Sequence, residues 1–477
     1  IRIVKKMESD TIAAIATPIG SGGIGIIKIS GKNAFSIARS IFQRSCDFPD
    51  KLQDRKLPLF SSLRSHRLYH GHILNTENGK VLDEVLVSKM DAPRTYTRED
   101  VVEINTHSGH VVLGSILDLV LKSGARLAEP GEFTKRAYLN GRVDLTQAEA
   151  VIDIINSRTE KSLEIATSQI KGGLKSTIES IRSTLLDILT DAEAAIDFPE
   201  DVGEIIHTEE SIEVLEIGVI DVLKKLIDQY ENARYLRDGL KMVVIGRPNV
   251  GKSSLMNRLI QEDRVIVTSI PGTTRDLIEE TLNIHGIPVV IADTAGLHDT
   301  DDPVEVIGIE KTQEYINGSD LILFMMDASD PLTGEDIKIY ETVKHKRLIM
   351  VINKVDLVEE DFKLAIPELW GKVPSVNISA LYGRGLSRLK DLIAKLATGE
   401  YRLEVRNRIV PNLRHKNALE KSLQIAISAA KEIRRETPFE LIAIDIKEVI
   451  DRLGEIIGVS AREDVIDQIF SRFCIGK

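Results

Sequence analysis

The sequence predicts a multidomain fold: an α+β domain, then a discontinuous α-helical domain that is interrupted by an inserted α/β domain. Three observations predict it. Short apolar strands alternate with glycine turns up to residue 141, apolar residues recur at three- and four-residue steps on both sides of a central region, and that region alternates apolar strands with loop motifs. At roughly 150 residues per domain, the 477 residues correspond to about three domains.

The first domain is predicted at residues 1–141. Ile24–Ile29 and Glu84–Ser88 have the length and composition of strands, and Val111–Lys122 has the apolar spacing of an amphipathic helix. The helix is expected to end at Ser123 and Gly124, because glycine ends helical periodicity. Strands and a helix together indicate an α+β fold.

Helical periodicity fills residues 142–238 and returns in residues 400–477. Lys416–Arg434 and Ile444–Ile457 repeat in the second stretch the apolar stripes of the first. A domain is tolerated as an insertion where chain ends lie close together, so one helical domain with an insertion at residues 239–399 is the simplest architecture. Two separate helical domains are the alternative.

The inserted domain carries a phosphate-binding loop, Gly246–Ser253, with the sequence Gly-Arg-Pro-Asn-Val-Gly-Lys-Ser. The predicted strand Lys241–Ile245 precedes it and a predicted helix follows, so the helix N-terminus faces the phosphates. The glycines let the backbone direct its N–H groups at phosphate oxygens. Lys252 is expected to contact the β- and γ-phosphates, and Ser253 to bind Mg²⁺.

Three further motifs each follow a predicted strand: Asp293–Gly296, Asn353–Asp356 and Ser379–Leu381. This edge is where open α/β sheets bind ligands. The Asp356 carboxylate suits the N1–H and N2 amino donors of guanine, which adenine lacks in that arrangement. We therefore predict a GTP site, in which backbone N–H groups of the Ser379–Leu381 turn face guanine O6.

The predicted nucleotide site combines the phosphate loop, a switch segment and the strand-end motifs. Its residues are Asn249, Val250, Gly251, Lys252, Ser253, Ser254, Thr268, Ser269, Ile270, Pro271, Gly272, Thr273, Thr274, Asp293, Thr294, Ala295, Gly296, Asn353, Lys354, Val355, Asp356, Ser379 and Ala380. Within the switch segment, Thr274 is the natural second ligand of Mg²⁺ when GTP is bound.

Leu297 occupies a position where many GTPases have a glutamine that orients the attacking water. Leucine cannot do so, so another group or a partner supplies this function, or hydrolysis is slow. The amide oxygen of Asn249 can bind a monovalent cation that neutralises transition-state charge. Arg247 and Arg275 are candidate arginine fingers, and Glu305 is a candidate for positioning the water. The alternative interpretation of the acidic run around Glu305 is a solvated loop.

Composition excludes several classes of protein. A net charge of −11 argues against broad non-specific affinity for nucleic acid, although not against a local basic patch. No apolar run has transmembrane length and no secretory signal is recognised, so we expect no membrane partner. The two cysteines, Cys46 and Cys474, provide no disulfide framework, which fits a reducing cytoplasm.

Three side chains invite a functional interpretation that their surroundings do not favour. His107 and His110 have the i, i+3 spacing of metal ligands. Without cysteines or well-spaced carboxylates nearby, a role in a polar loop or in the core is expected instead. The single tryptophan, Trp370, is expected to be a packing residue.

Motifs spread over the whole chain carry a resemblance to a known family. They are Asp10–Pro18, Gly22–Gly25, Tyr96–Glu103, Glu129–Thr134, Asp144–Ala150, Ala194–Pro199, Gly272–Asp276, Ile307–Glu310 and Phe473–Lys477. On these motifs the chain resembles the MnmE (TrmE) family, GTPases of tRNA wobble-uridine modification. The alternative is a GTP-dependent ribosome or RNA assembly factor, for which a folate-binding domain would have no purpose.

The resemblance implies a cytoplasmic homodimer held together by the N-terminal domain. It implies work on tRNA with an FAD-dependent partner, MnmG (GidA), in a heterotetramer. The pair would add an aminomethyl or carboxymethylaminomethyl group to C5 of the wobble uridine, with a one-carbon unit from formyl- or methylene-tetrahydrofolate. Hydrolysis would be activated when the two GTPase domains meet across the dimer in the presence of K⁺.

The resemblance also implies roles for single residues. The K⁺ ligands would be Asn249, Thr268, Ile270 and Thr273, the Mg²⁺ ligands Ser253 and Thr274, and the catalytic residues Glu305, Lys252 and Asn249. The folate contacts would be Lys28, Glu103, Arg142 and Lys477.

Two positions, Lys28 and Thr106–Gly109, depart from the family pattern, and Cys474 lies within its last motif. Lys28 stands where many members have arginine, so bidentate geometry is lost there. The sequence Thr106–Gly109 replaces the common Cys-His-Gly-Gly, which removes any role for a cysteine at that point. Cys474 either takes part in the modification chemistry or is a small buried residue.

Overall fold

The computed structural model describes residues 10–18, 20, 22–45, 60, 63–198, 208–264, 279–292, 314–359, 364–398, 409–435 and 437–477. They form two compact units. The first unit contains the described residues up to Glu149 together with Gly454–Lys477, and the second contains the described residues from Ala150 to Leu453. No helix of the described residues combines the length and the apolar character needed to cross a membrane.

The secondary structure comprises two sets of elements, numbered along the chain. The strands are β1 Ile12–Ile15, β2 Gly25–Ser30, β3 Phe42–Arg44, β4 Arg67–Leu74, β5 Val81–Met90, β6 Val101–Thr106, β7 Arg126–Leu127, β8 Leu240–Ile245, β9 Glu279–Ile284, β10 Ile287–Ala292, β11 Leu321–Asp327, β12 Leu348–Asn353 and β13 Ser375–Asn377. The α-helices are α1 Ala34–Ile41, α2 His110–Lys122, α3 Glu132–Leu139, α4 Leu145–Asn156, α5 Glu160–Ile170, α6 Gly173–Asp197, α7 Thr208–Leu215, α8 Asp221–Asp238, α9 Lys252–Asp263, α10 Gly334–Val343, α11 Leu386–Thr398, α12 Leu413–Arg434, α13 Phe439–Ile457 and α14 Glu463–Phe470. A π-helical turn, Glu216–Ile220, joins α7 to α8.

The first unit is built on a seven-stranded sheet in the order β3-β4-β5-β6-β2-β1-β7. Neighbouring strands are antiparallel except for β1 and β7. Alternate residues of a strand face opposite sides, so Ile27, Ile29 and Ile104 are fully buried against Leu113 and Ile116 of α2. The predicted α+β fold of this region is confirmed.

The carboxyl-terminal residues of the chain belong to this first unit. The Tyr138 hydroxyl donates to the Gly458 carbonyl at 2.7 Å, and the Lys135 ammonium pairs with Asp467 at 2.6 Å. The ring centroid of Phe470 lies 6.3 Å from that of Tyr138 and 5.5 Å from that of Phe473. Side chains of α3 therefore contact α14 and the turn that precedes it.

The second unit contains a six-stranded sheet in the order β13-β12-β11-β8-β10-β9, parallel except for the β9–β10 hairpin. Every residue of β11 and β12 is buried, as expected for parallel strands that are covered on both faces. Trp370 is 3% exposed and stacks on Tyr340 at 4.1 Å, which confirms its predicted packing role. This sheet is the predicted α/β domain.

Helices that precede and follow this sheet in the chain pack together. The Arg182 guanidinium of α6 donates to the Ile450 carbonyl of α13 at 3.2 Å, and Arg434 of α12 pairs with Glu216 at 2.6 Å. Within the second unit, the helices before and after the α/β domain therefore pack together, which favours one discontinuous helical domain with an insertion over two separate helical domains. The end of the predicted second stretch, Gly454–Lys477, lies in the first unit instead.

Candidate functional sites

The phosphate-binding loop runs between β8 and α9 and depends on two glycines. Gly246 and Gly251 have φ angles of 155° and 100°, which residues with a side chain rarely adopt. A Cβ atom at Gly246 would collide with the Met325 carbonyl, and one at Gly251 with the Asn353 amide. The loop can therefore pass close to the ends of β11 and β12 only with glycine at both positions.

The ammonium of Lys252 lies inside this loop. It donates to the carbonyls of Gly246 and Arg247 at 2.9 and 2.8 Å. Burial lowers the pKa of Lys252, and the charge of Glu335 partly opposes that shift. The loop thus holds a cation at its centre, where phosphate oxygens of a nucleotide would carry the opposite charge.

The first turn of α9 presents the remaining groups for an anion and its metal. Gly251 is the N-cap of α9, and Ser253 and Ser254 are exposed on its first turn. The N–H groups of a first helical turn have no intrahelical acceptor, so they favour bound phosphate. Asn249 is exposed and has a φ angle of 63°, a left-handed backbone conformation.

Asn353 connects the phosphate loop to the turn that follows β13. Its amide Nδ2 donates to the Val250 carbonyl at 2.8 Å, and its Oδ1 accepts from the Ala380 N–H at 2.9 Å. The Ser379 N–H donates to the Arg384 carbonyl at 3.0 Å. The Leu381 N–H in the same turn has no hydrogen-bond acceptor among the described residues.

Arg247 does not project from the loop as an arginine finger would. Its Nε donates to Asp336 at 2.9 Å, and the Asp336 side chain has no exposed surface. The same carboxylate accepts from the N–H and hydroxyl of Thr333, at 2.9 and 3.0 Å, at the start of α10. Asp336 was missed by the sequence analysis because it belongs to no nucleotide motif.

The switch residues fall outside the part of the chain that the structure describes. This applies to Thr268, Ser269, Ile270, Pro271, Gly272, Thr273, Thr274, Arg275, Asp293, Thr294, Ala295, Gly296, Leu297 and Glu305. Their roles stay predictions.

In the first unit, the four predicted folate contacts lie near one another, and two of them, Lys28 and Arg142, lie over the Tyr96 ring. Lys28 of β2 and Glu103 of β6 are cross-strand partners whose charged groups lie 3.6 Å apart. The Lys28 ammonium lies 5.5 Å from the Tyr96 ring centroid, and the Arg142 guanidinium lies 4.6 Å from it. Sequence analysis placed Tyr96 in a family motif without giving it a role.

The electrostatics of this second cluster favour an anionic or carboxylate-bearing ligand. Burial lowers the pKa of Lys28, the Glu103 carboxylate opposes the shift, and the positive charges of Lys477 and Arg142 add to it. Burial also raises the pKa of Tyr96, whose hydroxyl lies 3.0 Å from that of Thr134. The Lys28 ammonium therefore interacts with two other cations, Arg142 and Lys477, and with one carboxylate, Glu103.

The carboxyl-terminal residues complete this cluster. The Lys477 carbonyl accepts from the Phe133 N–H at 3.2 Å, and the Cys474 carbonyl accepts from the Gly131 N–H at 3.4 Å. Gly476 has a φ angle of 95°, and a Cβ there would lie 2.5 Å from the Ile15 carbonyl. The Cys474 thiol is exposed, so its interpretation as a small buried residue is wrong.

His107 is held as part of a polar pair. Its Nδ1 lies 2.7 Å from Oδ1 of Asp83, and the other carboxylate oxygen accepts from the His107 N–H at 2.9 Å. Among the described residues, no group of three or more potential ligands could hold a metal ion.

Comparisons with known proteins cover nearly the whole chain. A family model described as MnmE helical domain matches residues 145–474, and one described as GTP-binding protein TrmE N-terminus matches residues 11–142. The chain is 48% identical over 473 residues to "tRNA modification GTPase MnmE" of Acetivibrio thermocellus, covering 98% of this chain and 100% of that protein. It is 46% identical over 472 residues to the protein of the same name from Alkaliphilus oremlandii, covering 98% and 99%.

Among solved structures, the chain is similar to the G domain of the T. maritima FeoB iron transporter. The identity is 27%, the match covers 33% of this chain and 98% of that chain, and the TM-score is 0.24.

Proposed function

The chain belongs to the MnmE (TrmE) family and is a GTPase of tRNA modification, and from this premise we propose the reaction that it serves. In the cytoplasm, a homodimer acts on tRNA with an FAD-dependent partner of the MnmG (GidA) kind, as a heterotetramer. The pair adds an aminomethyl or carboxymethylaminomethyl group to C5 of the wobble uridine of certain tRNAs. The observation that carries the proposal is that Glu103, Arg142 and Lys477 all interact with Lys28, beside the Tyr96 ring.

The nucleotide role of the second unit follows from its strand-end loops. Lys252 and the first turn of α9 bind the phosphates, and Ser253 holds Mg²⁺ together with Thr274. Asp356 accepts the N1–H and N2 amino hydrogens of guanine. The Leu381 N–H takes the role at guanine O6, because the Ala380 N–H already donates to Asn353.

Hydrolysis is assigned to groups around the phosphate loop. Asn249 is exposed on the loop, and its amide oxygen would bind K⁺ in a site completed by Thr268, Ile270 and Thr273. A bound cation there supplies the positive charge that other GTPases obtain from an arginine finger. Arg247 is not available for this role, because its guanidinium is bound to Asp336. Glu305 positions the attacking water.

The test of the potassium assignment is GTP hydrolysis in matched KCl and NaCl buffers over a range of protein concentrations. Stimulation by K⁺ that increases with protein concentration supports a site completed when two GTPase domains meet. Equal, slow turnover in both salts would refute it and would point to a partner-supplied group.

The cluster around Tyr96 fits a reduced folate. Glu103 can accept from the amino group and N3–H of a pterin, and the nearby cations of Lys28, Arg142 and Lys477 can donate to the carbonyl oxygen and ring nitrogens of the same pterin. A bound tetrahydrofolate would supply the one-carbon unit. The exposed Cys474 thiol lies on the segment that carries Lys477, so we place it at the modification chemistry.

The experiment that tests the proposed function uses methylene-tetrahydrofolate labelled with ¹³C in its one-carbon unit. Purified protein, an MnmG-type partner with its FAD, unmodified tRNA, GTP, the labelled folate and ammonium or glycine as the amine source are combined, and the tRNA nucleosides are analysed by mass spectrometry. The label should appear in a C5-substituted uridine, and Glu103→Gln should abolish it while Glu77→Gln, at an exposed ion pair of the same unit, should not.

Unlabelled tRNA from the complete reaction would contradict the proposal. Binding to ribosomal subunits without tRNA modification would instead favour the alternative of a GTP-dependent assembly factor.

A further inference from the structure

Asp327 is an acidic residue beside the proposed guanine pocket, and it belongs to none of the nucleotide motifs. It ends β11 and is paired in register with Asn353, the last residue of β12. Neighbouring parallel strands end at the same edge of a sheet, so Asp327 lies next to the Asn353–Asp356 loop despite its distance in sequence. Its side chain is only 5% exposed.

Both oxygens of the Asp327 carboxylate have fixed partners. Oδ2 accepts from the Lys354 ammonium at 2.6 Å, and Oδ1 accepts from the N–H and hydroxyl of Ser329 at 2.9 and 2.7 Å. Burial alone would raise the pKa of Asp327, but the hydrogen bonds from Lys354 and Ser329 outweigh it and hold the pKa below its ordinary value. The carboxylate is therefore ionised and immobile at neutral pH.

Lys354 is fixed at both ends. Its backbone has φ and ψ angles of 62° and 33°, a left-handed conformation that residues with side chains seldom adopt. Its side chain is 32% exposed, and its ammonium is the group that Asp327 binds. Because backbone and ammonium are both held, the aliphatic stem between them has few rotamers left.

We infer that Asp327 is a positioning residue for guanine recognition. It holds Lys354 so that the stem of this lysine forms a preformed wall against the flat face of the base, while Asp356 reads the edge. A free lysine would lose its rotamer entropy when the nucleotide binds, whereas here that entropy is lost on folding. The inference rests on the guanine site proposed above.

The competing explanation is structural. In that case Lys354 only neutralises a buried carboxylate, and the pair contributes to folding but not to nucleotide binding. The two explanations differ in what happens when the charge of Asp327 is removed at constant side-chain size. An effect on nucleotide release that depends on Lys354 belongs to the positioning role alone.

The test is a double-mutant cycle on the full-length protein with Asp327→Asn, Lys354→Met and the double variant. Release of a fluorescent GDP is measured by stopped flow, and thermal unfolding is measured without nucleotide. Asp327→Asn should speed GDP release about tenfold, the loss expected for one charge-assisted hydrogen bond at a partly exposed lysine. In the Lys354→Met background, Asp327→Asn should add no further change.

The same variants also separate binding from chemistry. Asp327 acts through Lys354, which belongs to the guanine motif and not to the phosphate loop, so Asp327→Asn should raise KM for GTP and leave kcat unchanged. The matched control is Glu262→Gln, which breaks ion pairs with Arg258 and Lys390 at the far end of α9. It should release GDP at the wild-type rate.

Two outcomes would overturn the inference. One is wild-type GDP release in Asp327→Asn, and the other is an equal effect of Asp327→Asn with and without Lys354. Asp356→Asn keeps this test separate from the proposed function. If Asp356→Asn speeds GDP release but Asp327→Asn does not, only the inference fails; if neither does, the guanine site itself is misplaced.

Discussion

Replacing Asn353 with alanine should weaken the α/β domain and its nucleotide site together. The side chain is 3% exposed and joins two loops through its hydrogen bonds to the Val250 carbonyl and from the Ala380 N–H. Alanine would leave the Val250 carbonyl and the Ala380 N–H without their partner, and both residues are buried. Each orphaned polar group costs about 1–3 kcal/mol, so the combined loss of the two should be about 2–6 kcal/mol.

The assay for this loss must resolve one domain within a multidomain chain. Native-state hydrogen exchange, followed by mass spectrometry on peptides from β8 and β12, reports the local free energy of opening. Isothermal titration with GDP on the same sample should show an affinity that is lower by about tenfold or more.

The control for Asn353→Ala is Asn257→Ala, at an exposed position of α9 in the same domain. It should change the free energy of opening by less than about 0.5 kcal/mol. The reasoning would be refuted if Asn353→Ala also changed the free energy of opening of β8 and β12 by less than about 0.5 kcal/mol and left the GDP affinity unchanged. It would mean that the two loops keep their places without the amide that joins them.

Three further predictions concern the first unit. Arg136→Met should destabilise it by about 3–5 kcal/mol in urea unfolding, because this 2% exposed guanidinium pairs with Glu132 at 2.9 Å; an unchanged midpoint would contradict this. Burial would raise the pKa of Glu132, but hydrogen bonds from Arg126 and Arg136 hold it below its ordinary value of 4.5. The unit should therefore lose thermal stability as pH falls below about 4.5, and Glu132→Gln should flatten that decline. Gly476→Ala should displace the carboxyl-terminal residues and abolish folate binding by calorimetry while GTP hydrolysis continues, since a Cβ would meet the Ile15 carbonyl; unchanged folate affinity would show that the end of the chain is not needed.

The sequence analysis predicted the features that depend on local pattern. Buried strands such as β8 and β12 appear as short apolar runs, and a nucleotide motif follows each of these two strands directly. The discontinuous helical domain was also predictable, because apolar stripes appear on both sides of the insertion. These signals are local because a strand, a helix or a phosphate loop is specified by neighbouring residues.

The pairings that tune the sites were not predictable in the same way. Arg247 with Asp336 and Lys354 with Asp327 are ion pairs between residues that are far apart in the chain. A single charged residue gives no sequence pattern that identifies its partner. The donation from the Ala380 N–H to a side chain depends on the spacing of β12 and β13. Only the assembled sheet edge brings these groups together.

The most direct test of the account is a nucleotide exchange in the reconstituted tRNA modification reaction. Wild-type protein and Asp356→Asn are each supplied with GTP or with xanthosine triphosphate, whose O2 suits the amide of asparagine. We expect C5-modified uridine from the wild type with GTP only, and from Asp356→Asn with xanthosine triphosphate only. Modification by Asp356→Asn that still depends on GTP, or hydrolysis of xanthosine triphosphate without modification of tRNA, would contradict the account.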